Sequence, residues 1–221
     1  MTATPEASVR VDAYGLTDIG KKRERNEDHF VLVSLRKSAE VRQSSLTDAG
    51  VFDGLRDQKG QLLVVADGVG GGPGGELASK TAVTTLVHYL GRVAGCFHGL
   101  DTDRENEFLE QLEQGVHEAH RRVSGEFGTK RRQGPATTLT MAMLVWPRAY
   151  IVHAGDSRAF YLRKGRLLQL TQDQTMGEYM VGAGAWTETQ AARAPSSASL
   201  VSAVGGPEMT PAVGLVDLLP G

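Results

Sequence analysis

Two long stretches of helical periodicity, set between two groups of strand-like segments, limit what this chain can fold into. From about Glu76 to Val93, the residues Leu77, Ala82, Leu86, Leu90 and Val93 fall near one face. From about Arg104 to Ser124, the residues Phe108, Leu112, Val116, Ala119 and Val123 form a second apolar stripe. Ahead of the helices, Val9, Val11 and Ala13 alternate with polar residues, as in a half-buried strand. Phe30 to Leu35 is apolar but for Ser34 and reads as a central strand, and Leu62 to Ala66 reads as a buried one. Behind the helices, Thr138 to Trp146, Ala149 to Ala154, Arg158 to Arg163 and Leu167 to Leu170 read as successive strands. Gly155-Asp156-Ser157 and Lys164-Gly165 are the turns between them. Thr187 and Gln190 have capping-box spacing, which predicts a short helix, and Val213 to Leu218 predicts a last strand. Strands, two helices and more strands imply an α+β layered domain.

A chain of 221 residues is long enough for one sizeable core. Residues 1–8 read as a loose tail, 9–221 as the domain, and 37–60 as a polar loop insertion in which Asp53-Gly54 is a turn. The net charge of -2 gives no global footprint for nucleic acid. Lys130-Arg131-Arg132 reads as solvated loop, whereas Lys21-Lys22-Arg23 abuts an acidic cluster where a cation suits a phosphate. The one cysteine, Cys96, allows no internal disulfide and fits an inert thiol in a reducing compartment. No apolar run approaches the roughly 18 residues of a membrane span. The first residues lack the pattern of a signal peptide, so a cytoplasmic protein away from membranes is expected.

The chemistry concentrates in two places. Arg23-Glu24-Arg25-Asn26-Glu27-Asp28 brings two carboxylates to the start of a strand. Ala66-Asp67-Gly68-Val69-Gly70-Gly71 puts a third at the end of the apolar run Leu62-Leu63-Val64-Val65. Taken singly, a glycine-flanked aspartate is most often a turn former. An acid at the tip of a buried strand, however, needs something to satisfy its charge. Hard divalent cations take carboxylate, carbonyl and water ligands, so Glu27, Asp28 and Asp67 together suit Mg²⁺ or Mn²⁺. Glycine after Asp67 lets the backbone approach closely, so the Gly68 carbonyl can join the shell.

Five ordered blocks carry a resemblance: R-E-R-N-E-D, A-D-G-V-G-G-G-P-G-G-E-L-A-S, A-T-T-L-T, H-A-G-D-S-R-A-F-Y-L and L-T-Q-D-Q. From about Tyr14 onward the chain resembles the metal-dependent serine/threonine phosphatases of the PPM type, protein phosphatase 2C. The resemblance implies two packed antiparallel β-sheets flanked by helices, a four-layer αββα sandwich. It implies hydrolysis of phosphoserine and phosphothreonine in proteins by a metal-activated water, with Mn²⁺ or Mg²⁺, two ions and a third at a further site. Asp67 would bridge two ions, with Glu27 and the Gly68 carbonyl completing the shell of one. Asp28 would hold water of that shell by hydrogen bonds. Arg23 falls at the family's phosphate-binding arginine, where a guanidinium grips two phosphate oxygens. Asp156 matches an acid of the third site, beside its plainer reading as a hairpin turn. Thr137-Thr138 and Thr171-Gln172-Asp173 match family blocks and read as scaffold. Residues 176–204 match a flap that influences substrate choice. The implied partners are phosphorylated proteins in signal transduction, with a serine/threonine kinase or its targets as candidates.

Val69, Ala136 and Gln174 depart from the family's usual residues without removing a ligand. A larger departure concerns two late aspartates. After residue 68 there is no Asp-Gly, and Asp-Asn occurs nowhere. The expectation is therefore a C-terminally incomplete phosphatase domain with its last strands missing. A binding module stands as the alternative: a fragment that holds metal and phosphoprotein but turns nothing over. Metal-dependent release of phosphate separates the two. Other motifs fail on their own terms. Ser79-Lys80-Thr81 lacks the glycine of a P-loop, and His117-Glu118-Ala119-His120 is one residue short of a zinc-protease helix and reads as a solvated face. Gly-Asp-Ser lies late between strands, with no esterase partner. His29 receives no general-acid role.

Overall fold

The computed structural model describes residues 11–37, 58–70, 73–93, 102–127 and 134–218. Cys96, Asp53-Gly54, Lys130-Arg131-Arg132 and the tail before residue 11 lie outside them. The elements in chain order are β1 (Asp28–Lys37), β2 (Gln58–Val69), α1 (Pro73–Val93), α2 (Thr102–Phe127), β3 (Ala136–Thr137), β4 (Leu139–Val145), β5 (Arg148–Ala154), β6 (Phe160–Arg163), β7 (Arg166–Gln169), α3 (Met176–Gly182), α4 (Glu188–Arg193) and β8 (Ala212–Asp217). The fold is α+β, with two antiparallel sheets and helices. The large sheet runs β1-β2-β4-β5-β8, with β3 added to β2, and the small sheet is the hairpin β6-β7.

Periodicity explains how the layers meet. On β2, Leu62, Val64 and Ala66 are buried, and Met141, Met143 and Val145 of β4 share that face. Helices α1 and α2 cover it with Ala82, Leu86, Leu90, Leu112, Val116 and Val123. All five residues of the expected α2 stripe are buried. At the far end of the sheet from Asp67 and Gly68, Glu105 of α2 is buried and needs partners. Tyr150 donates its hydroxyl to Glu105 Oε1 at 2.8 Å, and the Arg148 guanidinium donates to the same oxygen. The ring of Phe108 meets Tyr150 edge-on at 5.0 Å. The opposite face of the sheet, with Phe30, Leu32 and Val65, lines a cleft of about 630 Å³ that Phe160 and Tyr161 also line.

Several expectations need correction. β1 is an edge strand and not a central one. Its two apolar faces arise because Val31, Val33 and Leu35 pack on the core while Phe30 and Leu32 face the cleft. β2 is central but buried on one face only, since Val65 is 45% exposed. Residues 11–13 form no strand. Leu77 points outward at 44% exposed, because it sits about 100° round the helix from the buried row Ala78, Ala82 and Leu86. The Thr187 capping box is present and opens α4. The Lys164-Gly165 turn is also present, both residues having positive φ (48° and 74°), as a tight hairpin turn requires.

His120 is not on a solvated face. It is half-buried, and its Nδ1 accepts from the Gly205 N–H at 3.1 Å. Burial, followed by the nearby His117 and Arg121, holds its pKa below the usual 6.5. The folded state therefore resists protonation here. The associated stability is complete above pH 6.5 and is lost as pH falls through the lower folded value. His120→Asn keeps an acceptor near Nδ1 but does not titrate. Its unfolding free energy, measured in urea between about pH 7.5 and about pH 5.5, should fall less steeply than that of the wild type. Equal slopes would remove His120 from the account of acid sensitivity.

Candidate metal centre

The acids meet where β1 begins and β2 ends. Antiparallel register sets Asp28 opposite Asp67. Neighbouring strands lie about 4.8 Å apart, so the two carboxylates are necessarily close. Glu27 precedes Asp28, and its carbonyl accepts from the Gly68 N–H at 3.1 Å. The Glu27 carboxylate lies over the start of α1, where a Cβ on Gly75 would stand 2.3 Å from Oε2. Ser79 of α1 donates to the Glu27 carbonyl at 2.5 Å, and its hydroxyl also meets His29 Nδ1 at 2.9 Å. The first turns of α1 thus hold the Glu27 segment in place.

Asp67 senses all of this. Partial burial, then repulsion and a hydrogen bond from Asp28, then Asp156 and Glu27, push its pKa from 3.8 to about 6. Its side chain is still reached by solvent. Carboxylates gathered about Asp67 are donors of the kind a hard divalent cation takes, and such an ion would offset the repulsion between Asp28 and Asp67. Among the described residues, however, no three His, Cys, Asp or Glu side chains enclose an ion by themselves. The gathered carboxylates fit a cation whose remaining positions are filled by carbonyl oxygen and water, as Mg²⁺ and Mn²⁺ allow.

The structure therefore sets Asp28 beside Asp67 and ties Glu27 to Gly68, while Asp156 acts on Asp67 through its charge. Arg23 stands exposed on the bend before Glu27, while Arg25 pairs with Glu76 at 3.8 Å. Thr137 and Thr138 are scaffold of a specific kind. The Thr137 hydroxyl donates to the Asp67 carbonyl at 2.9 Å, and the Asp67 N–H donates to Thr138 Oγ1 at 3.0 Å. Gln174, where the family usually has histidine, holds the Gly155 turn: its side-chain carbonyl accepts from the Gly155 N–H at 3.0 Å. Asp173 takes a forked ion pair from Arg158, with the shortest contact at 2.6 Å. The paired threonines in A-T-T were the available signal for the clamp on Asp67. Their partners come from a strand about seventy residues earlier, which local patterns do not reveal.

A family model described as protein phosphatase 2C matches residues 37–201. The chain belongs to this family. The serine/threonine protein phosphatase PstP of Mycobacterium tuberculosis is 31% identical over 153 residues, 68% of this chain. The chain spans only 28% of that relative's length. The Streptococcus agalactiae serine/threonine phosphatase superposes with a TM-score of 0.71 at 25% identity, over 93% of this chain and 74% of the other. A second protein phosphatase 2C neighbour, the catalytic domain of PstP, was solved in complex with two manganese ions. It matches at 26% identity and a TM-score of 0.54, over 88% of this chain and 75% of its own. No described helix of this protein phosphatase 2C chain is long and apolar enough to cross a membrane.

Proposed function

We propose that this chain carries the acid cluster of a metal-dependent protein phosphatase acting on phosphoserine and phosphothreonine. The observation that carries the reading is the pairing of Asp28 with Asp67, with Glu27 and Asp156 also bearing on Asp67. Family membership and the manganese complex of a neighbour support it. Asp67, Glu27 and the Gly68 carbonyl would hold the ions, Asp156 would serve a further one, and Asp28 would orient water by hydrogen bonding. Paired divalent ions lower the pKa of a shared water and stabilise charge on the attacking and leaving oxygens of an in-line displacement. Arg23 would bind phosphate from the exposed bend, and residues 176–204 would act as the flap beside the substrate. A phosphorylated protein in a kinase-linked signalling pathway of the cytoplasm is the partner this chemistry suits.

The openness of the cluster favours a second reading, a module that binds metal and phosphoprotein without turnover. Mn²⁺-dependent hydrolysis of p-nitrophenyl phosphate by the purified chain, run beside Mn²⁺ binding by calorimetry, decides between them. Turnover supports the enzyme, binding alone supports the module, and no binding rejects both. Arg23→Ala should raise KM about tenfold or more, since a charge-assisted contact contributes roughly 1.5–3 kcal/mol, and should leave Mn²⁺ affinity unchanged. An unaltered KM would count against its phosphate role.

A further inference from the structure

Asp67 and Asp156 come from different strand ends, yet a chain of hydroxyls joins them. Thr138 Oγ1, already accepting from the Asp67 N–H, lies 2.7 Å from Ser157 Oγ. A hydroxyl has one hydrogen and two lone pairs, so Thr138 can hold both partners at once. Ser157 directly follows Asp156, and its carbonyl accepts from Thr140 Oγ1 at 3.3 Å. The turn itself sits on Thr138. Gly155 has φ +115°, and a Cβ there would stand 2.7 Å from Thr138 Cβ and Cγ2. From the other side Gln174 takes the Gly155 N–H and donates its own N–H to the Gly155 carbonyl at 2.7 Å. Thr138 is fully buried, where hydrogen bonds are stiff and electrostatically strong.

We infer that Ser157 is a positioning residue: through Thr138 it fixes the Asp156 turn against Asp67, so that the two acids stand at one set separation about the metal centre. This rests on the metal reading proposed above. A hydroxyl that merely stabilised the turn would affect unfolding and leave metal affinity alone. The brace instead couples the two acids, so its loss is felt at the ion.

The test uses the whole chain with Ser157→Ala, Thr138→Ser, Thr138→Val and Asp156→Asn. Mn²⁺ affinity is read by calorimetry, and exchange of the Asp67 amide hydrogen is read by NMR in metal-free protein. Ser157→Ala should weaken Mn²⁺ binding roughly threefold to tenfold, the scale of one hydrogen bond, and should speed Asp67 amide exchange. Thr138→Ser should behave as wild type, and Thr138→Val should lose at least as much as Ser157→Ala. In the Asp156→Asn background, Ser157→Ala should cost no further affinity. Wild-type affinity in Ser157→Ala, or an equal loss without Asp156, overturns the inference. Should the wild type bind no Mn²⁺, the metal reading fails by itself. Amide exchange then decides on the brace: faster exchange in Ser157→Ala upholds it and unchanged exchange overturns it.

Discussion

Asp67→Asn should abolish Mn²⁺-dependent turnover, weaken Mn²⁺ binding by at least about a hundredfold, and raise the melting temperature of the metal-free protein. The first two effects follow from the ligand. Losing only a group that supports a metal ligand costs 10–100-fold in affinity, and Asp67 is the acid on which the cluster converges. The third effect follows from the repulsion the acid endures. Partial burial and the neighbouring Asp28, Asp156 and Glu27 disfavour its charge, so its folded pKa is about 6 against 3.8 unfolded. A raised carboxyl pKa means the folded state binds the proton more tightly than the unfolded one. In metal-free wild type the penalty is therefore full above about pH 6, shrinks as pH falls through that value, and is gone below 3.8. Asparagine removes it without touching the backbone bonds to Thr137 and Thr138. The mutant's advantage in calorimetric melting should be present at neutral pH and vanish in acid. A mutant less stable at neutral pH would mean that these acids do not repel one another. One that bound Mn²⁺ as tightly as wild type would sink the metal assignment. Stability given up at a binding site is the usual relation between the two.

What the sequence made legible was what repeats locally. The stripe from Phe108 to Val123 is a helical period, and it is buried as read. The box at Thr187 and Gln190 needs only three residues, and it forms. Four acids and Gly68 stood out as candidates because their neighbours, N-E-D, A-D-G and G-D-S, are distinctive strings. What escaped was pairing across long separations. Apolar residues on both faces of β1 look the same whether the strand is central or lies at an edge between a helix layer and a cleft. Nothing near Asp67 announces that Thr137 and Thr138 clasp both its backbone groups. Ser79, buried on α1, gave no sign of holding the Glu27 carbonyl, because that contact joins residues 52 apart. Thr175, which caps α3 by accepting from the Glu178 N–H, was a local signal that passed unread. Arg23 remains placed by sequence and not by contact, and Asp156 is tied to Asp67 only through its charge.

Gly68→Ala should be the most damaging single-atom change in the site, costing about 3 kcal/mol of stability and most of the Mn²⁺ affinity. The glycine is not needed for its backbone angles, since its φ is not among the positive ones. It is needed for space. A Cβ would stand 2.3 Å from the Gly75 carbonyl oxygen, 2.4 Å from its carbon and 2.9 Å from the Glu27 carbonyl oxygen. All three are backbone atoms, which cannot rotate aside as a side chain can. Either α1 backs away from β2 or β2 leaves its register with β1. Overpacking of this kind typically costs about 1–3 kcal/mol, and a clash on two backbones belongs at the upper end. Gly75→Ala offers the contrast. Its Cβ would meet chiefly the Glu27 carboxylate, at 2.3 Å from Oε2, with the Gly68 carbon at 3.0 Å. A carboxylate can swing out, so Gly75→Ala should lose Mn²⁺ affinity with a smaller loss of stability. Urea unfolding and Mn²⁺ titration of both variants measure the difference. If Gly68→Ala unfolded at the wild-type midpoint, α1 would not approach β2 as closely as the acid cluster requires. If Gly75→Ala bound Mn²⁺ normally, Glu27 would not be a ligand. The two glycines thus separate the two things the A-D-G and G-G-E strings do: one lets the strand and helix touch, and the other leaves room for the acid between them.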